Sequence, residues 1–89
     1  MDNIIFRNNS SIQAEPISVS AERCTDTHHV QYIGYARRGT NSLEEAKFCI
    51  LRITLEKESG ITLYEWSNGN LERNVPFTER ENLEYSFLV

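Results

Sequence analysis

Apolar and polar positions alternate with a period of two along much of this chain, most sharply between His28 and Trp66. In "HHVQYIGY", Val30, Tyr32 and Gly34 point to one side while His29, Gln31, Ile33 and Tyr35 point to the other. With tyrosine and β-branched residues on a pleated surface, this predicts a strand over Val30–Tyr35. "ARRGTNS" interrupts it, because Gly39 takes a positive φ without steric cost and Thr40, Asn41 and Ser42 can bond their own backbone. Ser42 followed by Glu45 fits a capping box, so "LEEAK" is expected to make about one helical turn. "KFCILRITLEK" then gives the clearest strand, Phe48–Glu56. Cys49, Leu51, Ile53 and Leu55 form an uninterrupted apolar row, while Phe48, Ile50, Arg52, Thr54 and Glu56 form an opposite row that turns polar. One buried and one partly wet face are expected of a central antiparallel strand.

"ESG" reads as a turn and "ITLYEW" as the returning strand, Ile61–Trp66, so the two make a hairpin. Asn68-Gly69 is the strongest two-residue turn signal in the chain. Pro76 spoils the strand that would follow it, so the turn is expected to open a longer connection, with a polar helical turn at "TEREN" and a last strand over Leu83–Leu88. Residues 1–27 are weakly patterned and are read as an extended arm, ordered by packing on the rest of the chain or on a neighbour. Within them only "NIIF" and "ISVS" look strand-like, the latter as a half-buried edge strand. The whole chain, 1–89, is thus predicted to be a single all-β domain, a small antiparallel β-sandwich or barrel with short helical turns. Ile33, Leu51, Ile53, Leu63, Trp66 and Leu83 are the expected core.

Composition narrows this picture. Eighty-nine residues, 39% apolar and 25% charged, suit one ordinary globular domain and argue against disorder. A net charge of -4 opposes long-range attraction to nucleic-acid phosphates, so no nucleic-acid partner is expected. No basic region followed by an apolar run opens the chain, and no stretch approaches the roughly 20 apolar residues of a membrane helix, so neither a signal peptide nor a membrane partner is expected. Cys24 and Cys49 could make at most one disulfide, and a reduced state is the default; Cys49, within an apolar run, reads as a small hydrophobe.

Little in the sequence speaks for reaction chemistry. His28 and His29 are adjacent and would point to opposite faces of a strand, so they do not make a metal pair. No nucleophile elbow, phosphate-binding glycine loop or marked carboxylate pair is present, and the chain is read as non-enzymatic, with no catalytic residues, cofactor or metal. Arg37 and Arg38 at the corner loop admit two readings, a contact on an acidic neighbour through bidentate carboxylate recognition or a solvated turn. The arm supplies Ile4, Ile5, Phe6, Ile12, Ile17 and Val19 within a polar segment, and Ile4, Ile5 and Phe6 with Arg37 and Arg38 are the candidate interface. Arm and sheet edges together suggest a homo-oligomer or many copies in a ring. Tyr32, Tyr35, Tyr64 and Trp66 form the alternative candidate, a stacking surface for carbohydrate.

Four blocks, "YIGYARRGT", "AKFCILRI", "ITLYEWSNGN" and "FTERENLEY", resemble the pattern of small virion-associated proteins of tailed bacteriophages, over about 60% of the chain. Tyr32, Gly34, Ala36, Gly39 and Thr40 match the first block, and Ala46, Ile50, Arg52 and Ile53 the second. Trp66, Gly69 and Asn70 match the third, and Arg80, Leu83 and Tyr85 the last. Phe48 and Phe77 stand where the pattern has Trp, and Asn68 where it has Asp. The resemblance implies a structural component of a tail, collar, baseplate or capsid, assembled in the host cytoplasm and acting through contacts with other virion proteins.

Overall fold

A computed structural model describes residues 3–7 and 17–88, with residues 3–7 and Ile17 described in backbone only. Six strands, β1 (Asn3–Arg7), β2 (Ile17–Cys24), β3 (His28–Ala36), β4 (Phe48–Glu56), β5 (Thr62–Ser67) and β6 (Tyr85–Ser86), form one antiparallel sheet in chain order. The all-β expectation is met. The layer packed on this sheet comes from the irregular segment 70–84, which includes a single 3-10 turn at Phe77–Glu79.

The β4 prediction matches the strand residue for residue, and β3 extends beyond its predicted ends at both sides. The stretch read as an arm supplies two strands of the chain's own sheet, and β2 lies inside it, between β1 and β3, where an edge strand was expected. Ile12 lies outside the described residues. No helix forms at "LEEAK", although the capping bonds do: the Glu45 carboxylate accepts from the backbone N–H of Asn41 at 2.6 Å and of Ser42 at 2.9 Å. These bonds hold its pKa below the usual carboxylate range. Only a few residues separate the cap from β4, too few to propagate a helix. At the other end, Asn68 and Gly69 both take positive φ, as the mirror-image two-residue turn requires, and Asn70 N–H donates to the Ser67 carbonyl at 3.3 Å. The last strand shrinks to Tyr85 and Ser86, paired with Ser67 and Trp66.

The main correction concerns the core. Its buried residues are Val19, Ala21, Tyr32, Ala36, Phe48, Ile50, Val75 and Phe77, with Val30, Leu43, Leu83 and Tyr85 packed against them. Of the six core residues expected, only Leu83 packs on this cluster; Ile33, Leu51, Ile53 and Trp66 are half-buried and Leu63 is exposed. The reason is the course of segment 70–84. Val75 forms a bridge with Phe48, exchanging both backbone hydrogen bonds at 2.9 and 3.1 Å, and Phe77 then turns onto the Phe48 side of β4 with the two rings 5.8 Å apart. Where β5 has already turned away, the Ser67 hydroxyl accepts from Ile50 N–H at 3.0 Å, so the β4 backbone stays satisfied.

Beyond the rings, the covered face ends in a layer of aromatic and charged groups. The Arg52 guanidinium lies 4.4 Å over the Tyr85 ring and donates to Glu65 Oε1 at 2.9 Å. The Tyr85 hydroxyl donates to the Arg80 carbonyl at 2.7 Å, and the Arg80 guanidinium lies 5.1 Å from the Phe77 ring. Desolvation pushes the pKa of both Tyr32 and Tyr85 upward.

Candidate functional site

Because paired residues of an antiparallel ladder share a face, the register defines the side of the sheet that segment 70–84 leaves open. One transverse row runs Ser20, Ile33, Leu51, Trp66 and Ser86. The next, toward one end of the strands, is Glu22, Gln31, Ile53 and Tyr64, and beyond it come Cys24, His29, Leu55 and Thr62. Toward the other end lie Ser18, Tyr35 and Cys49. The apolar row read from the sequence as core therefore runs along the middle of this open face.

Its centre is aliphatic and aromatic. Tyr35 and Trp66 tilt toward each other with ring centroids 6.0 Å apart, and Tyr64 stands beside Ile53 at 58% exposure. Cys49 is only 4% exposed, a free thiol whose pKa is raised by desolvation and partly held down by the Arg73 guanidinium bonded to it. Between β2 and β3 the surface dips into a shallow depression lined by Ser18, Ser20, Gln31, Ile33 and Tyr35. Among the described residues, charge enters this face at Glu22 on β2, in the row of Ile53 and Tyr64 and with His29 Nε2 3.7 Å from its carboxylate, and at Arg73, which is bonded to Cys49. Lys57, just past the end of β4, donates to the Thr25 carbonyl at 2.6 Å and lies 3.0 Å from Cys24 Sγ.

The residues proposed from sequence divide among several places. Tyr35, Tyr64 and Trp66 are together on the open face, but Tyr32 is buried on the covered one and cannot join a stacking surface; the correction follows from its pairing with Ala21 and Arg52. Arg37 and Arg38 are exposed in the β3–β4 connection, where the Arg37 carbonyl accepts from Thr40 N–H at 3.2 Å and Thr40 Oγ1 at 2.7 Å. The backbone of Ile4, Ile5 and Phe6 pairs with β2, opposite Ala21, Ser20 and Val19, and their side chains lie outside the described residues. His28 and His29 face opposite sides, as expected, His28 toward Glu56 and His29 toward Glu22. No group of three or more His, Cys, Asp or Glu suited to a metal occurs among the described residues. Sequence reasoning passed over Leu51, Ile53 and Leu55 as surface residues, because an apolar row by itself does not say which of two faces will be covered.

Many positions of the phage-like pattern meet on the covered side. Tyr32, Gly34, Ala36 and Ile50 lie in the packing against segment 70–84, which itself supplies Arg80, and Arg52 stacks on Tyr85 beside it. Packing accounts for their identities without a ligand. No family model, curated protein or solved structure matches this chain.

Proposed function

We propose that this protein is a non-enzymatic structural component of a tailed-phage virion that works through protein–protein contacts made by the open face of its sheet. The observation that carries this reading is the contiguous apolar surface of Ile33, Tyr35, Leu51, Ile53, Leu55, Tyr64 and Trp66 across β3, β4 and β5. Contiguous apolar patches on a protein surface are characteristic of contact sites, and antiparallel sheets with two apolar faces call for a layer on each. The assignment to a virion rests on the resemblance of the four sequence blocks, and other virion proteins in many copies are the partners it implies. Mass spectrometry of purified particles is expected to find this chain at multiple copies per virion. Its absence from particles would overturn the virion assignment.

A carbohydrate-binding module is the second reading, favoured by one observation: Tyr35, Tyr64 and Trp66 lie on the same open face, two of them as adjacent tilted rings. Binding on a glycan array that is abolished by Trp66→Ala would support it over the first.

A further inference from the structure

Two nucleophilic side chains far apart in the sequence meet at one corner of the sheet: Cys24, the last residue of β2, and Lys57, the first residue past β4. Lys57 Nζ lies 3.0 Å from Cys24 Sγ, across 33 positions of chain. We propose that this pair is a modification site at which a peroxide drives formation of a reversible sulfenamide bond between Sγ and Nζ, stapling the β2–β3 turn to the end of β4. The bond depends on this corner alone and not on what covers the open face.

The backbone holds the two groups within reach of each other. Lys57 N–H donates to the Thr27 carbonyl at 2.9 Å, which ties the end of β4 to the β2–β3 turn. Within that turn Thr25 N–H donates to the His28 carbonyl at 2.8 Å, and His28 N–H donates to Thr25 Oγ1 at 3.0 Å. The Thr25 carbonyl accepts from Nζ at 2.6 Å and so steers the amine beside the neighbouring sulfur. Cys24 is an exposed free thiol, open to a small oxidant, whereas the free thiol of Cys49 is buried. An accessible cysteine beside a cation is the reactive kind, and one buried in an apolar row the inert kind.

The chemistry balances with a single hydrogen peroxide. Cys24 reacts as the thiolate: Sγ attacks a peroxide oxygen, the O–O bond breaks, and the departing hydroxide takes a proton from the Lys57 ammonium and leaves as water. The sulfur has then given an electron pair to the peroxide and carries a hydroxyl, and Nζ beside it is a neutral amine. Its lone pair attacks Sγ, the S–O bond breaks, and the hydroxyl leaves as a second water with a proton from Nζ. Sulfenic acids condense in this way with a backbone nitrogen, and an amine already in place reacts at high effective concentration. Free thiols reverse the bond: the first attacks Sγ and expels the Lys57 amine, and the second releases the Cys24 thiol, the two leaving together as a disulfide. The corner therefore stays open where reduced thiols are plentiful and closes where they are not.

The test uses the full chain, treated with a small excess of hydrogen peroxide that catalase then removes. Intact mass is expected to fall by about 2 Da, the two hydrogens lost on condensation, and tryptic digestion to yield a peptide pair joined between Cys24 and Lys57. Dithiothreitol is expected to reverse both changes. Closing the loop between these residues constrains the unfolded chain, so the oxidised protein is expected to melt roughly 10 °C above the reduced one. Lys57→Arg keeps a cation at the corner but supplies no amine. It is expected to form no cross-link, to gain nothing in melting temperature, and to accumulate Cys24 sulfenic acid, trapped as the dimedone adduct, well above wild type. The wild-type readings stand even where the variant fails to fold. Oxidised wild type that carries only a disulfide between two copies of Cys24, a sulfinic acid, or oxidation at Cys49 would overturn the proposal. A linked pair whose mass instead rises by about 14 Da, an oxygen being kept between Sγ and Nζ, would overturn the direct S–N bond.

Discussion

A methyl group placed on Gly34 would lie 2.5 Å from Cδ1 of Phe77 and 3.0 Å from Cδ2 of Phe48, and both rings are fully buried. Neither ring has room to retreat, so Gly34→Ala is expected to destabilise the fold by about 1–3 kcal/mol, as forced overpacking does. Urea denaturation measures it, and a variant as stable as the parent would contradict the packing described. A glycine inside a strand pattern often marks a close approach of another group to the backbone. The tyrosines of the same face bear on pH. Burial raises the pKa of Tyr32 and Tyr85, so the folded state favours their neutral form. That contribution is fully present below the ordinary tyrosine value of about 10 and is lost as pH rises through the raised values. Stability is therefore expected to fall above about pH 10, and Tyr85→Phe to flatten that alkaline decline. Melting temperatures measured across the alkaline range check both.

At the level of elements, β4 shows why one boundary was legible and its orientation was not. Its ends and period follow from the alternation "FCILRITLE" and the flanking charged residues, and the strand forms there. Both of its faces are apolar, however: Phe48 and Ile50 on one, and Cys49, Leu51, Ile53 and Leu55 on the other. Counting apolar residues favours the longer row as core, whereas the structure buries the shorter one because Val75 and Phe77 dock on it. Pro76 correctly marked the end of regular pairing, but nothing local says where an irregular segment will lie. Phe77→Ala is accordingly expected to cost about 3–5 kcal/mol, the range for a fully buried ring. Leu51→Ala is expected to cost less, the reverse of the order that the sequence suggests. Chemical denaturation of both variants, at a concentration where the protein is monomeric, decides between the two orders.

For the whole molecule, the all-β class was readable because period-two alternation and turn residues are local signals. Asn68-Gly69 identified its turn, and the register of β4 with β5 follows the hairpin. The candidate site was readable in part: Tyr35, Tyr64 and Trp66 were singled out, but Tyr32 was grouped with them because alternation within one strand does not reveal which face a distant segment will cover. Every strand of the sheet pairs with its neighbour in the chain, in the order β1-β2-β3-β4-β5-β6. This order has a consequence in time. As the chain folds, β1 to β5 can zip together hairpin by hairpin while β4 still shows two apolar sides, and only the docking of Val75 and Phe77 decides which side becomes interior. Until that segment docks the sheet has no distinct inside, and both sides of β4 stay open to other unfinished chains, the condition in which exposed apolar surface and strands are most prone to misassemble.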